Sequence, residues 1–168
     1  MNLLEVTLPA AEYVDRFYHP DKFLPYCKEC PGYENRWCCP PLDGSPDFNA
    51  YSTVELYLLQ VEARSDAWRS AERLELERRL LAREKETGGF AALLTGMCPH
   101  CTPSAADAYD ISCARREGKP CRHPELTRPS LEALGFDLCA TVRELFGIEM
   151  EWGQSARRLN LIGAVFIG

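Results

Sequence analysis

Eight of the nine cysteines fall into two groups with the spacing of metal ligands. Cys98, Cys101, Cys113 and Cys121 lie within two dozen residues, and Cys27, Cys30, Cys38 and Cys39 form a second group upstream. Thiolate is a soft ligand that selects zinc, iron–sulfur clusters or Cu(I), and two thiols separated by two residues can reach one centre from a tight turn. Each group opens on such a pair, Cys27/Cys30 and Cys98/Cys101. Downstream, Cys113 and Cys121 complete four thiolates. Upstream, adjacent side chains seldom aim at one ion, so only one of Cys38 and Cys39 is expected to ligate. That leaves a fourth position for Cys139, a histidine, a water or a substrate.

Spacing alone does not select the metal. The compact ferredoxin run and the zinc ribbon's paired knuckles are both absent, but prolines after Cys39 and close after Cys121 are a feature of cluster-binding loops. The favoured reading is an iron–sulfur protein with one or two clusters, of the 4Fe–4S type, in electron transfer or an accessory redox role with a redox protein as partner. A structural zinc protein that presents an interaction surface is the alternative. A third reading takes Cys98-Pro99-His100-Cys101 as the active-site tetrapeptide of a thiol–disulfide oxidoreductase. That reading needs the motif at the start of a helix, whereas Thr102, Pro103 and Ser104 follow it. No reaction can be assigned.

Around the cysteines, His100 and His123 are candidates for ligation or for hydrogen bonding to a thiolate. Arg122 and Arg128 could offset cluster charge or pair with Glu125 and Glu132, so Arg122, His123 and Arg128 are the candidate cofactor contacts. Trp37 and Tyr33 read as a roof over the metal loop, His19 as surface, and Cys139 as a core thiol. No Ser/His/Asp arrangement, phosphate-cradling glycine loop or paired-carboxylate motif stands out.

The elements that must position these groups fit one domain, residues 1–168, with 46% hydrophobic and 26% charged residues. A net charge of −6 without a basic stripe argues against a nucleic-acid partner. No apolar run approaches the roughly eighteen residues of a membrane span, and the N-terminus lacks the basic start of a signal peptide. A cytoplasmic protein is expected, whose reduced thiols favour metal over disulfides. Oligomeric state is not legible.

A strand is expected over residues 3–8, then Pro9 opening a helix over residues 10–17 that ends at His19-Pro20. Residues 26–47, rich in proline and cysteine, read as a long irregular loop tied down by metal. Residues 52–63 read as a strand covered on both faces. Asp66 is the expected cap of a helix running to about Glu86, with Ala67, Ala71, Leu74 and Leu81 on its apolar stripe, a Glu75–Arg79 ion pair, and a solvated outer face. Residues 90–95 form a short buried strand leading to Cys98; helices follow over residues 129–134 and 139–146, and a last strand over residues 159–167. The fold class is α+β, a mixed sheet with flanking helices and long cysteine-rich metal-binding loops.

The motifs in combination resemble the DUF2284 family of predicted metal-binding proteins. The matching parts are Cys27-Lys28-Glu29-Cys30, Tyr33, the W-x-C-P-P of Trp37 to Pro41, and Gly96-Met97-Cys98 with Cys101. Further along come Cys121-Arg122-His123-Pro124 and the run from Arg128 to Gly135. The resemblance implies cysteine-bound metal, with iron–sulfur the favoured form, and no known reaction. It also implies Cys39 as the ligand of its pair, with Cys38 an addition.

Overall fold

The computed structural model describes residues 1–64, 67–96, 98–101, 112–151 and 155–168. Four strands, β1 (Asn2–Pro9), β2 (Thr53–Glu62), β3 (Phe90–Ala92) and β4 (Arg158–Ile167), form one sheet in the order β1-β2-β4-β3. The helices are α1 (Ala10–Phe17), α2 (Pro20–Lys28), α3 (Ala71–Thr87), α4 (Leu131–Leu134) and α5 (Leu138–Phe146). The α+β class holds, but every ladder is antiparallel rather than mixed. The cause is a split crossover. Helix α3 carries the chain from β2 to a β3 that runs parallel to it, and β4 lies between the two, antiparallel to both.

Alternation along the central strands divides the core in two. Val54, Leu56 and Leu58 of β2 with Ile162, Ala164 and Phe166 of β4 face α1, α4 and α5. Leu59, Leu161 and Val165 face Leu76 and Leu80 of α3. β2 is therefore covered on both faces, as its incomplete alternation implies. Aromatic rings concentrate on the first face. Phe136 is stacked on Tyr13 at 4.9 Å between centroids and meets Phe48 edge-on at 5.1 Å. Truncating so well enclosed a ring removes its transfer energy and leaves a cavity. Phe136→Ala is expected to cost about 3–5 kcal/mol, measurable as a lowered midpoint in urea unfolding.

Several local expectations are corrected. Pro9 ends β1, and α1 begins at Ala10. The loop expected over residues 26–47 begins later, because Pro20 opens α2 in the first-turn position that proline favours and that helix runs to Lys28. This helix buries no residue, so no apolar stripe announces it. Asp66 lies outside the described residues; α3 starts at Ala71, capped by Ser70, whose Oγ accepts the Arg73 N–H at 3.3 Å.

The buried stripe of α3 is Arg73, Leu76, Glu77 and Leu80, while Leu74 is exposed. Glu75 pairs with Arg78, and Arg79 reaches Glu5 on β1 at 3.3 Å. The outer face is only partly free solvated charge. Arg83 holds Glu55 on β2 at 2.8 Å, and Glu84 holds Arg128 at 2.8 Å. Cys139 is exposed on α5, since that helix buries Leu138, Thr141 and Val142 instead. No helix among the described residues is long and apolar enough to cross a membrane.

Candidate metal centre

The site forms where the end of β3, the first turns of α3, the short α4 and the end of α2 converge. After β3 the backbone is pinned on two sides: Leu93 N–H donates to Pro129 O at 3.0 Å and Thr95 N–H to Ile162 O at 3.1 Å. Gly96 follows at φ 99°, in the left-handed region, and a Cβ there would lie 2.1 Å from the Trp68 ring. Only glycine passes so close while turning the chain toward Cys98.

The upstream cysteines sit on the last turn of α2 and a chain of tight turns. Cys30 N–H donates to Cys27 O at 3.0 Å, Tyr33 N–H to Cys30 O at 3.1 Å, and Cys39 N–H to Arg36 O at 3.0 Å. Gly32 lies inside this chain, where an added Cβ would be 2.9 Å from Cys39 Sγ and 3.8 Å from Cys30 Sγ. The sulfurs of Cys30 and Cys39 thus close over the same small residue, which leaves no room for a side chain between them.

The thiols rim two adjoining cavities. The larger, about 180 Å³, is lined by Cys27, Cys30, Cys38, Cys39 and Cys98. The smaller, about 20 Å³, is lined by Cys38, Cys98, Cys101, Cys113 and Cys121. All eight candidate cysteines therefore border one space or the other, and Cys38 and Cys98 border both. Among the described residues no three His, Cys, Asp or Glu side chains are drawn together closely enough to hold a single ion. Met97 and residues 102–104, which the sequence motifs include, lie outside the described residues.

Cys38 is buried, with its Sγ 3.8 Å from Cys39 Sγ. Hydrogen bonding to Cys39, with burial, pushes its thiol up to about 12. The Cys98 thiol is also raised, first by its hydrogen bond with Cys38 and then by burial. An oxidising Cys-x-x-Cys enzyme needs the opposite, a first thiol held low at a helix start, and Cys98–Cys101 is not helical. Cys27 is raised by burial and then by the nearby charges of Glu132 and Cys30.

Downstream, Cys121 Sγ accepts the His123 backbone N–H at 3.4 Å and approaches Thr127 Oγ1 at 3.5 Å; Cys98 Sγ lies 3.9 Å from the same hydroxyl. His100 lines the larger cavity, its ring 5.8 Å from that of His123. Burial, then the neighbouring charge of His123, lowers the His100 pKa. Tyr33 lines the larger cavity and Trp37 the smaller.

The arginines do other work than expected. Arg128 lines the larger cavity but forks onto Glu84 rather than Glu125 or Glu132, and also donates to the carbonyls of Pro124 and Thr127. Arg122 donates to Ser112 O at 2.8 Å.

Arg115, which no motif marks, ties the two groups together. Its guanidinium donates to Arg36 O at 2.9 Å, Cys39 O at 2.7 Å and Pro41 O at 2.7 Å, and lies 5.0 Å from the Trp37 ring centroid. Trp37 Nε1 donates to Lys119 O at 3.0 Å, a second tie across the same seam. Charged hydrogen bonds to carbonyls in a half-buried setting support a loss of about 2 kcal/mol of loop docking in Arg115→Ala, roughly thirtyfold in the opened population. In metal-free protein this should appear as a comparable rise in the alkylation rate of Cys38. Arg115→Lys should not restore it, because an ammonium cannot fork across three carbonyls.

Behind the larger cavity stands a buried ion pair. Arg73 Nη2 lies 3.0 Å from Glu77 Oε1, with side chains 1% and 5% exposed. Arg73 also donates to Trp68 O and Leu94 O. Burial raises the Glu77 carboxyl despite its partner, and raises Glu132 as well. Glu77 Oε2 and Glu132 Oε2 are buried without a hydrogen-bond partner among the described residues, and both residues line the cavity.

A thiol-rimmed space with unsatisfied carboxylate oxygens in its wall has the donor set of a metal centre. No curated protein and no solved structure matches the chain. The model of one family, predicted metal-binding protein (DUF2284), matches residues 19–167. That span holds both cysteine groups and every wall residue described above, and the chain belongs to the DUF2284 family of predicted metal-binding proteins.

Proposed function

We propose that this is an iron–sulfur protein that exchanges electrons with a redox partner in a reducing, cytoplasmic compartment. One observation carries the reading: the thiols of Cys27, Cys30 and Cys39 rim a space of about 180 Å³. A zinc–thiolate bond of about 2.3 Å would draw tetrahedral sulfurs to within about 3.8 Å of each other. Sulfurs standing around a void of this size suit a cluster better than one ion. A bound cluster would supply one-electron chemistry.

Cys27, Cys30 and Cys39 would hold the upstream centre, and Cys98, Cys101, Cys113 and Cys121 a downstream one. Cys38, a buried thiol in the shared wall, is suited to hydrogen-bond the sulfurs on either side rather than to ligate. The His123 N–H aimed at Cys121 Sγ is the kind of contact that tunes a thiolate's donor strength.

A second reading is favoured by a specific observation at the downstream group. Its cavity is only about 20 Å³, which suits a single zinc ion that staples the turn. The test is the visible and EPR spectrum of anaerobically purified protein before and after dithionite. Bleaching of a broad absorption with the appearance of a reduced-cluster signal supports electron exchange. A colourless, EPR-silent protein under both conditions overturns it.

A further inference from the structure

We infer that Glu132 is the fourth ligand of the upstream centre, its Oε2 completing a set of three thiolates and one carboxylate. This rests on the metal reading of the site but not on which metal is bound.

All four thiols of the upstream group border the larger cavity, with Cys98 beside them; with Cys27, Cys30 and Cys39 as ligands, the remaining sulfurs do not serve for a fourth place. Cys139 is exposed on α5; Cys38 and Cys98 lie in the wall shared with the downstream group, Cys98 opening the downstream ligand set and Cys38 packing its sulfur against that of Cys39 at 3.8 Å. Glu132 lines the cavity with Cys27, Cys30 and Cys39.

Its two oxygens are differently placed. Oε1 accepts the Gly96 backbone N–H at 3.3 Å, whereas Oε2 is buried with no partner among the described residues. A carboxylate oriented by a hydrogen bond on one oxygen and free on the other is the usual arrangement of a ligating carboxylate. Without a cation, a buried oxygen with no donor is costly. The element that carries it is also built to hold still. Ser130, the residue before α4, pairs with Leu93, and α4 ends on Gly135, whose carbonyl accepts the His19 N–H at 2.9 Å ahead of α2. Glu132 and Cys27 are thereby set on two elements joined to each other.

Two rivals share the cavity. Glu77 also has a free Oε2, but its Oε1 receives two donors from Arg73, which commits it to the wall. His100 also lines the cavity, its ring 5.8 Å from that of His123, and the test below separates it from Glu132.

The test uses the full chain, loaded anaerobically with iron and sulfide or with zinc, as wild type and as Glu132→Gln, Glu132→Ala, Glu132→Cys, Glu77→Gln, His100→Asn and Cys139→Ser. Each is challenged with a chelator, and metal loss is followed alongside circular dichroism. Glu132→Gln keeps an acceptor for Gly96 N–H but gives up the anion, so it separates ligation from folding. Losing a ligand should speed release from the upstream centre at least tenfold in Glu132→Gln and Glu132→Ala, with retention in Glu132→Cys and Cys139→Ser. Wild-type release in Glu132→Gln overturns the assignment, as does accelerated release in Glu77→Gln or His100→Asn alone. A wild-type chain that takes zinc but no sulfide sinks the iron–sulfur reading only. The comparison is then read on zinc, with the same two outcomes.

Discussion

Replacing Cys27 and Cys30 together with alanine is expected to remove about four iron atoms and matching sulfide per chain, while replacing Cys101 and Cys121 leaves that iron in place and removes the downstream metal. The two pairs discriminate because each borders one cavity only: Cys27 and Cys30 the larger, Cys101 and Cys121 the smaller. Cys38 and Cys98 border both, so single substitutions there would confound the two centres. Elemental analysis with acid-labile sulfide reads the outcome directly. If either double variant empties the protein of all metal, the two groups serve one shared centre.

Arg73→Met is expected to lower the unfolding free energy by about 3–5 kcal/mol, because it leaves the Glu77 carboxylate buried without its cation. The magnitude follows from burial, with side chains 1% and 5% exposed. Burial already raises the Glu77 carboxyl above its ordinary value, and loss of the guanidinium raises it further. A carboxyl whose folded pKa exceeds its unfolded one adds stability below the unfolded value, near 4, and loses it as pH climbs through the folded one. The deficit of the variant should therefore be largest near neutral pH and shrink toward pH 4. Urea unfolding at the two pH values checks both the size and the sign. A deficit that grows on acidification would contradict the account of this pair.

How far the sequence speaks depends on how local the signal is. Residues 10–17 are readable because burial imposes a helical period on them, and β2 and β4 because each is a largely apolar run covered on both faces. α2 is not, since it buries nothing and carries no stripe. The apolar stripe of α3 was misread because Arg73 and Glu77 occupy core positions by neutralising each other, and no hydropathy pattern expects charge there. The antiparallel sheet depends on β4 inserting between β2 and β3, a long-range event with no local mark.

The same division runs through the site. The cysteine pairs announce themselves by spacing. Arg115, which binds carbonyls 74 to 79 residues away, does not. Nor does Glu132, which reads as a partner for an arginine until it is found lining the same cavity as the upstream thiols with one oxygen unpartnered. Arg128 turns to Glu84, 44 residues distant, for the same reason: the packing of α3 supplies a closer carboxylate than either neighbour in sequence.

The central claim, cluster rather than ion on the upstream thiols, is tested most directly by iron, zinc and acid-labile sulfide content of chain purified without oxygen. The account predicts about four iron and four sulfide per chain on the upstream group, with either a second such set or one zinc on the downstream group. One or two zinc ions with no sulfide would contradict it and leave a protein whose metal only staples its turns.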